Sequence, residues 1–336
     1  MLVVHPHFHP RRTGVTTHTE AIVEALAKGG EVLAVGNALA DAVPRSTLGR
    51  IFQRARNERV VWHAHRNNEL LWGLLLRAFG AKLTLVFTRH GGTAPGAFSR
   101  WLMRSPDALV TLNDELAKQL RPGTRVIGHG VDLTRFHPPA SREAAWKALG
   151  LPGARGFGVV GRVRPAKGQG DFVDALAGLA DDQALTPVLV GLARGTDEGF
   201  AQALRARLPR LVLAGEQREV VGWYQGFEVV VQPSRSESYS LVIPEAMACG
   251  CAVVAARLPA APGLIDDGRT GFLYPVGDVS ALREVLARLR AEPQLVRRVG
   301  DAAAEEAKAR FGIEHEAQAL RALYDEAVQG PQSGVE

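Results

Sequence analysis

Glu237 and Glu245, with seven residues between them, and two upstream cations, Arg162 and Lys167, are the residues of this 336-residue chain best spaced to do chemistry. The glutamates lie in VVVQPSRSESYSLVIPEAMACG, residues 229–250. Val229, Val230 and Val231 form an apolar β-branched run that predicts a buried strand ending at Pro233. Residues 234–240 read as a polar loop, and the apolar segment after them as a helix. Pro244 is tolerated in its first turn, and Gly250 supplies the stop. Glu237 then falls in the loop and Glu245 about one turn into the helix. Two carboxylates and a helix N-terminus converge at the carboxyl end of a strand, where open α/β sheets bind ligands and free N–H groups favour phosphate. Carboxylates accept from sugar and ribose hydroxyls but are poor phosphate ligands, so the expected ligand carries both kinds of group.

The cations stand in a second loop of the same construction. Gly161-Arg162-Val163-Arg164-Pro165-Ala166-Lys167-Gly168 leaves a strand predicted over 156–160 and enters a helix predicted over 170–180. Arg162 and Lys167 beside that helix N-terminus are placed to hold a diphosphate, the alternative being a solvated basic loop. Gly14 marks a third strand, loop and helix unit near the start, with Thr17 and Glu20 as the expected capping box of a helix over 17–28. His65, His90, Asn113 and His129 collect at predicted strand ends, and His90, beside Gly91 and Gly92, is a site candidate against a structural loop bond. His5, His7 and His9 alternate like a strand face. Pro6 and Pro10 argue for a surface loop there, and no metal site is expected.

Elements must position these groups. Strands are predicted over 2–4, 31–36, 60–64, 83–88, 108–112 and 125–127, then over 156–160, 187–190, 211–214 and 229–232, with helical segments between them. This rhythm predicts an α/β protein of two doubly wound parallel-sheet domains, each about 150 residues. The proline-paired stretch 131–140 reads as the linker, giving domains of 1–138 and 139–310, and residues 329–336 read as a frayed tail. No apolar run reaches the length of a membrane span, and no secretory signal is visible. Cys249 and Cys251 are too close for a structural disulfide and point to a reducing, cytoplasmic setting. Residues 1–140 hold 18 Lys+Arg against 10 Asp+Glu, whereas the remainder holds 22 against 25. Much of that basic excess lies at Arg45, Arg50, Arg54, Arg56 and Arg59, interleaved with Leu48, Ile51, Phe52 and Ala55. Such a segment suits an anionic membrane surface, or a core-packed helix with a solvated basic face. With 6% aromatics and no recognition motif, nucleic acid is not an expected partner.

The motifs together resemble the retaining glycosyltransferases of the GT-B fold, in the large family 4 group. The matching residues are Gly161-Arg162 with Lys167-Gly168, Pro233-Ser234, the Glu237 to Glu245 spacing, residues 245–250 (EAMACG), and residues 267–273 (DGRTGFL). His129-Gly130-Val131-Asp132 with Phe136 matches that group's linker entry. Gly14-Val15-Thr16-Thr17 with Arg162-Val163-Arg164 is similar to bacterial lipopolysaccharide core transferases, mannosyltransferases among them.

The resemblance implies two Rossmann-like domains, with a terminal helix over 311–328, carrying Ile313, Ala317, Leu320 and Tyr324, returning to the first. It implies a nucleotide-diphosphate sugar as donor, GDP-mannose or a UDP-hexose, and a lipid-linked or lipopolysaccharide-core glycan as acceptor at the cytoplasmic membrane face. Neither metal nor cofactor is implied. Arg162 and Lys167 would bind the leaving diphosphate, Glu237 the transferred sugar and Glu245 the ribose. His90 would lie over the sugar on the acceptor side, and Gly14 would let the first loop approach the donor. Ser238-Tyr239-Ser240 replaces the family's frequent Gly-Phe-Gly beside Leu241, which leaves donor identity open. A phosphorylase or epimerase of the same fold, or a non-catalytic binding module, are the alternatives. A nicotinamide oxidoreductase would want a G-x-G-x-x-G turn, which neither half has.

Overall fold

β-branched runs flanked by glycine and proline build twelve strands in the computed structural model, which describes residues 1–10, 13–92, 94–179 and 182–330. Residues 331–336, most of the expected tail, lie outside the described residues. The chain divides into two units, Met1–Gly130 with Ile313–Glu336, and Val131–Gly312. The boundary thus precedes the expected one. The Val131 N–H donates to the Phe311 carbonyl at 2.7 Å and Phe136 is buried among second-unit core residues, so the expected linker is packed structure.

The first unit holds β1 (Leu2–His7), β2 (Val32–Gly36), β3 (Val60–Ala64), β4 (Leu83–Arg89), β5 (Ala108–Thr111) and β6 (Arg125–Val126). The second holds β7 (Arg155–Val160), β8 (Leu185–Val190), β9 (Val212–Gly215), β10 (Phe227–Gln232), β11 (Ala252–Ala256) and β12 (Gly271–Tyr274). Every pairing is parallel, in the orders β2-β1-β3-β4-β5-β6 and β12-β11-β10-β7-β8-β9. Central strands such as Val229–Val231 are fully buried, as expected for a sheet covered by helices on both faces. In each unit the chain runs outward on one side of the first strand and then resumes on the other. The topological switch points therefore lie between β1 and β3, and between β7 and β10, where such sheets bind ligands outside the strand ends.

Two local expectations are corrected and one open alternative is decided. β1 continues through Pro6 to His7, because its pairing with β3 covers residues 2–4 whereas its pairing with β2 runs on to His7. At Pro6 the strand has one ladder partner, and the missing N–H costs no bond. The helix after it spans Gly14–Ala27, starting three residues before the expected start, because Thr13 and not Thr17 caps it. The Thr16 N–H donates to Thr13 Oγ1 at 3.4 Å, and the Thr13 N–H to Thr16 Oγ1 at 2.9 Å. Glu20 instead accepts from the Ala40 N–H at 2.6 Å. The basic helix Leu48–Asn57 buries Ile51 and Ala55 in the unit's own core, with Leu48 and Phe52 packed beside them. Arg54 pairs with Glu31 and Glu58, and Arg45 with Asp41. This helix has the core-packed form with a solvated basic face, and its apolar stripe is not available to a membrane.

Candidate active site

The two loops flanking the β7/β10 switch point are joined through their backbones. After β7 the chain passes Arg162 into a single turn, Pro165–Lys167, and Gly168 at φ 70° starts the helix Gln169–Ala177. A Cβ on Gly168 would lie 1.8 Å from the Pro233 carbonyl oxygen, so glycine is required both for the left-handed backbone and for the approach of the second loop. Beyond it, the Arg235 N–H donates to the Ala166 carbonyl at 3.1 Å and the Arg235 guanidinium pairs with Asp171 at 2.6 Å. The Gln169 side-chain amide closes the first loop by donating to the Arg162 carbonyl at 3.0 Å.

Across that junction Lys167 Nζ pairs with Glu237 Oε1. The same carboxylate accepts from Ser234 Oγ at 3.0 Å and from Gln232 Nε2 at 3.4 Å. Gln232 also donates to Ser240 Oγ at 2.6 Å, fixing the end of the Ser238-Tyr239-Ser240 segment before Leu241 and the helix Val242–Ala248. Ser240 is buried, and Ser238, Tyr239 and Leu241 are partly exposed. Arg162 is exposed and has no carboxylate partner among the described residues, which leaves its planar fork free for an anion. Lys167 has three donors and spends one on Glu237, so a phosphate oxygen and the glutamate can share it.

Glu245 lies in the first turn of its helix, where its Oε2 accepts from the Tyr224 hydroxyl at 2.8 Å. Burial, then the neighbouring Glu245, raise the Tyr224 pKa well above its ordinary value, so the phenol keeps its proton and orients the carboxylate. The two glutamates are thus both at the carboxyl end of β10 but held by different partners, Glu237 by Lys167 and Glu245 by Tyr224. Tyr224, Gln232 and Gln169 carry no motif of their own, and their roles show only in the folded chain. The cysteines are buried, and burial raises both thiol pKa values, so neither is a nucleophile.

In the first unit the histidines form one hydrogen-bonded chain. His5 Nδ1 meets His65 Nε2 at 3.0 Å, His65 Nδ1 meets His90 Nε2 at 3.0 Å, and His90 Nδ1 meets His129 Nε2 at 3.2 Å. His129 Nδ1 lies 3.4 Å from Glu316 Oε1, which His18 Nε2 also contacts at 2.8 Å, while the Gly130 N–H donates to Oε2. Burial is the largest effect on Glu316 and would raise its pKa. The field of His18 and hydrogen bonds from His129 and His18 outweigh burial and hold it low, so this is an ionised carboxylate that can only accept. Burial and then His18 lower His129 to about 4, leaving it neutral at pH 7. It must therefore donate from Nδ1 and accept at Nε2. The same logic passes along the row, so His129, His90, His65 and His5 each carry their proton on Nδ1.

The expected surface loop at His5 and His7 is accordingly corrected: both side chains are buried. His7 donates from Nδ1 to the Asn37 carbonyl at 2.9 Å and holds the Thr16 hydroxyl at 2.9 Å with Nε2, which anchors the capped start of the helix at Gly14. His5, His63 and His65 stand close enough to hold a metal ion among the described residues. The ring centroids of His5 and His65 are 5.3 Å apart for a 3.0 Å N···N distance, so the axis between the rings passes nearly through both nitrogens. That is the geometry of a shared proton, whereas ligands of one ion would angle their lone pairs to a common point. His63 is occupied by the Tyr324 hydroxyl and by Thr88, each at 2.7 Å. Both nitrogens of His90 are committed to the chain, and Asn113 serves as a helix cap, accepting from the Leu116 N–H.

Residues 154–292 match the glycosyl transferases group 1. The lipopolysaccharide core biosynthesis mannosyltransferase LpcC of Rhizobium leguminosarum is 35% identical over 336 residues, covering 96% of each chain. The chain belongs to the group 1 glycosyltransferases. LpsB of Rhizobium meliloti, also a lipopolysaccharide core biosynthesis mannosyltransferase, is 32% identical and covers 96% of this glycosyltransferase and 97% of its own length. The crystal structure of Anabaena HepE in complex with UDP superposes with a TM-score of 0.83 at 20% identity, over 97% of this chain and all of its own, which places the glycosyltransferase in the GT-B fold.

In this glycosyltransferase, Glu245→Gln is expected to weaken donor-nucleotide binding about tenfold, the loss of a charged acceptor, with the fold intact because Tyr224 can still donate to the amide oxygen. Isothermal titration with the donor nucleotide checks it, and an unchanged dissociation constant would count against the ribose role that the resemblance implies for Glu245.

Proposed function

We propose that this glycosyltransferase moves a hexose, with retention, from a nucleoside-diphosphate sugar to a hydroxyl of a lipid-linked or lipopolysaccharide-core glycan at the inner face of the cytoplasmic membrane. The observation that carries the reading is the switch-point junction: an unpaired Arg162, the Lys167–Glu237 pair and the start of the helix Gln169–Ala177, all at the end of β7 and β10. It offers cations and N–H groups to a diphosphate beside a carboxylate for sugar hydroxyls. The LpcC and LpsB relatives support mannose as the sugar, and hence GDP-mannose as the first donor to try.

In the proposed step the acceptor hydroxyl attacks C1 from the face that the diphosphate leaves. The bond from C1 to the phosphate oxygen breaks, the bond to the acceptor oxygen forms, and the acceptor's proton passes to a phosphate oxygen. No protein base and no metal take part. Arg162 and Lys167 neutralise the charge growing on the leaving group, Glu237 positions the sugar and Glu245 the ribose. Gly14 leaves room for the first loop, and Ser238-Tyr239-Ser240 with Leu241 shapes the sugar pocket. His90, with both nitrogens committed to hydrogen bonds, is a neutral ring of fixed plane that keeps its Nδ1 proton and takes no part in proton transfer.

The test is a panel of GDP-mannose, UDP-glucose, UDP-galactose and ADP-glucose, scored by thermal shift and by nucleoside diphosphate released with a core-oligosaccharide acceptor. GDP-mannose is expected to stabilise by roughly 2.7 kcal/mol at about 100 times its dissociation constant and to give an α-linked product. Turnover needing inorganic phosphate, or none beyond donor binding, would support a phosphorylase or a binding module instead.

A further inference from the structure

Six of the ten exposed large apolar side chains among the described residues lie on two neighbouring helices of the first unit. They are Leu71, Trp72, Leu75 and Phe79, on or just past the helix Asn67–Ala78, and Phe98 and Trp101 on the helix Ala97–Leu102, at 40 to 68% exposure. Along the longer helix, residues 71, 72, 75 and 79 recur on one face. The opposite face, with Leu70, Gly73 and Leu76, is buried. Gly73 is what seats it, since a Cβ there would lie 2.6 Å from the Trp62 ring. The outward face is therefore not core left uncovered by poor packing. On the shorter helix, Phe98 and Trp101 stand with ring centroids 6.0 Å apart, and the two helices are tied by Asn67 Nδ2 donating to Ser99 Oγ at 2.8 Å. Scattered exposed apolar residues need no explanation, but a contiguous set on a soluble surface marks an interface.

The charge around it selects the occupant. Residues 66–104 contain six Lys+Arg and one acidic residue, with Arg66 paired to Glu69 and Arg77 to Asp107. Arg100 and Arg104 are exposed and have no carboxylate partner among the described residues. Exposed tryptophan and phenylalanine with unpaired arginines fit a surface that is apolar below and anionic above, with the rings at headgroup level and the guanidinium groups on phosphates. Among the described residues no helix is long and apolar enough to cross a membrane.

We infer that the face formed by Leu71, Trp72, Leu75, Phe79, Phe98 and Trp101, flanked by Arg100 and Arg104, docks this glycosyltransferase onto an anionic bilayer. The inference rests on the proposed membrane-linked acceptor and replaces the basic helix Leu48–Asn57 as the point of contact. Two apolar helix faces enter the headgroup layer, and the arginines supply the preference for acidic lipid.

The experiment is co-sedimentation of the full chain with vesicles of phosphatidylcholine alone and with 30% phosphatidylglycerol, alongside GDP-mannose binding as a control on the donor site. Wild type is expected to sediment with the anionic vesicles, and Phe79→Ser/Phe98→Ser/Trp101→Ser to bind them at least tenfold more weakly. Arg100→Gln/Arg104→Gln should lose the preference for anionic over neutral vesicles. Arg50→Gln/Arg56→Gln, on the basic helix, should bind like wild type. An unchanged serine variant, or a wild type that ignores both vesicles, overturns the docking face while leaving donor binding and the proposed reaction standing. A concentration-dependent dimer abolished by the same serine variant, without vesicle binding, would assign the face to a second copy and likewise overturn it. Vesicle binding in a protein that binds no nucleotide sugar would leave the docking face standing and remove the proposed reaction.

Discussion

Lys167→Ala is expected to lower kcat by about 10²- to 10³-fold while changing the donor KM much less, because in the proposed step the lysine's charge counts most when the leaving diphosphate gains its own. Its pair with Glu237 supplies the competing explanation, that the lysine serves to hold the carboxylate in place. A double-mutant cycle separates the two. If Lys167 acts on the leaving group, Lys167→Ala in a Glu237→Gln background still costs most of that factor. If it acts through Glu237, the second substitution adds nothing. Lys167→Arg should recover part of the rate, as it restores the charge on a planar head group of different geometry. Pre-steady-state turnover is the proper readout, since product release can mask the chemical step. Equal turnover in wild type and Lys167→Ala would remove the residue from the reaction.

Stability is expected to fall steeply between about pH 6.5 and pH 4, above the range where acid unfolding by carboxylates alone begins. Burial lowers His5 to about 3 and His129 to about 4, and lowers His63 and His65 well below their ordinary value. A histidine with a depressed folded-state pKa is neutral when folded, whereas the unfolded chain takes up its proton near pH 6.5. The unfolded state then binds more protons, so stability present above pH 6.5 is lost as pH drops, by about 1.4 kcal/mol per pH unit for each such group. Glu316, also held low, adds a loss in the same direction once pH passes below its unfolded value. Urea unfolding at half-unit steps from pH 7.5 to 4.5, followed by tryptophan fluorescence, should show the midpoint dropping most between 6.5 and 5. His5→Asn should flatten that slope by the share of one group. A profile level down to pH 5 would mean that the histidines are not buried neutral.

The donor half was legible because its signals are local. A valine run, Pro233 and Gly250 mark strand, loop and helix within 22 residues, and glycines bracket the cations at 161–168. The strands β11 and β12 were not legible. Ala252–Ala256 is alanine-rich without alternation, and Gly271–Tyr274 follows directly on turn residues. Thr13 lost to Thr17 as the expected cap because threonines at 13, 16, 17 and 19 offer equivalent signals, and the choice is made by His7 holding Thr16. The histidine chain was hidden for a different reason. Its members come from four strand ends, and the carboxylate that sets their protons, Glu316, lies 187 residues from His129. No window of sequence contains that relation.

The first unit is discontinuous: Ile313, Leu320 and Tyr324 of its last helix are buried with Ile22 and Val86, yet 182 residues, 131–312, are translated in between. At about 5–20 residues per second, that interval lasts roughly 10–40 s on the ribosome. By its end the second unit has all its strands and can close, while the first waits with an open core and with His18, His129 and the Gly130 N–H lacking their carboxylate. The order of synthesis therefore completes the second unit before the first. A chain released at residue 312 would carry a complete second unit attached to an unfinished first one.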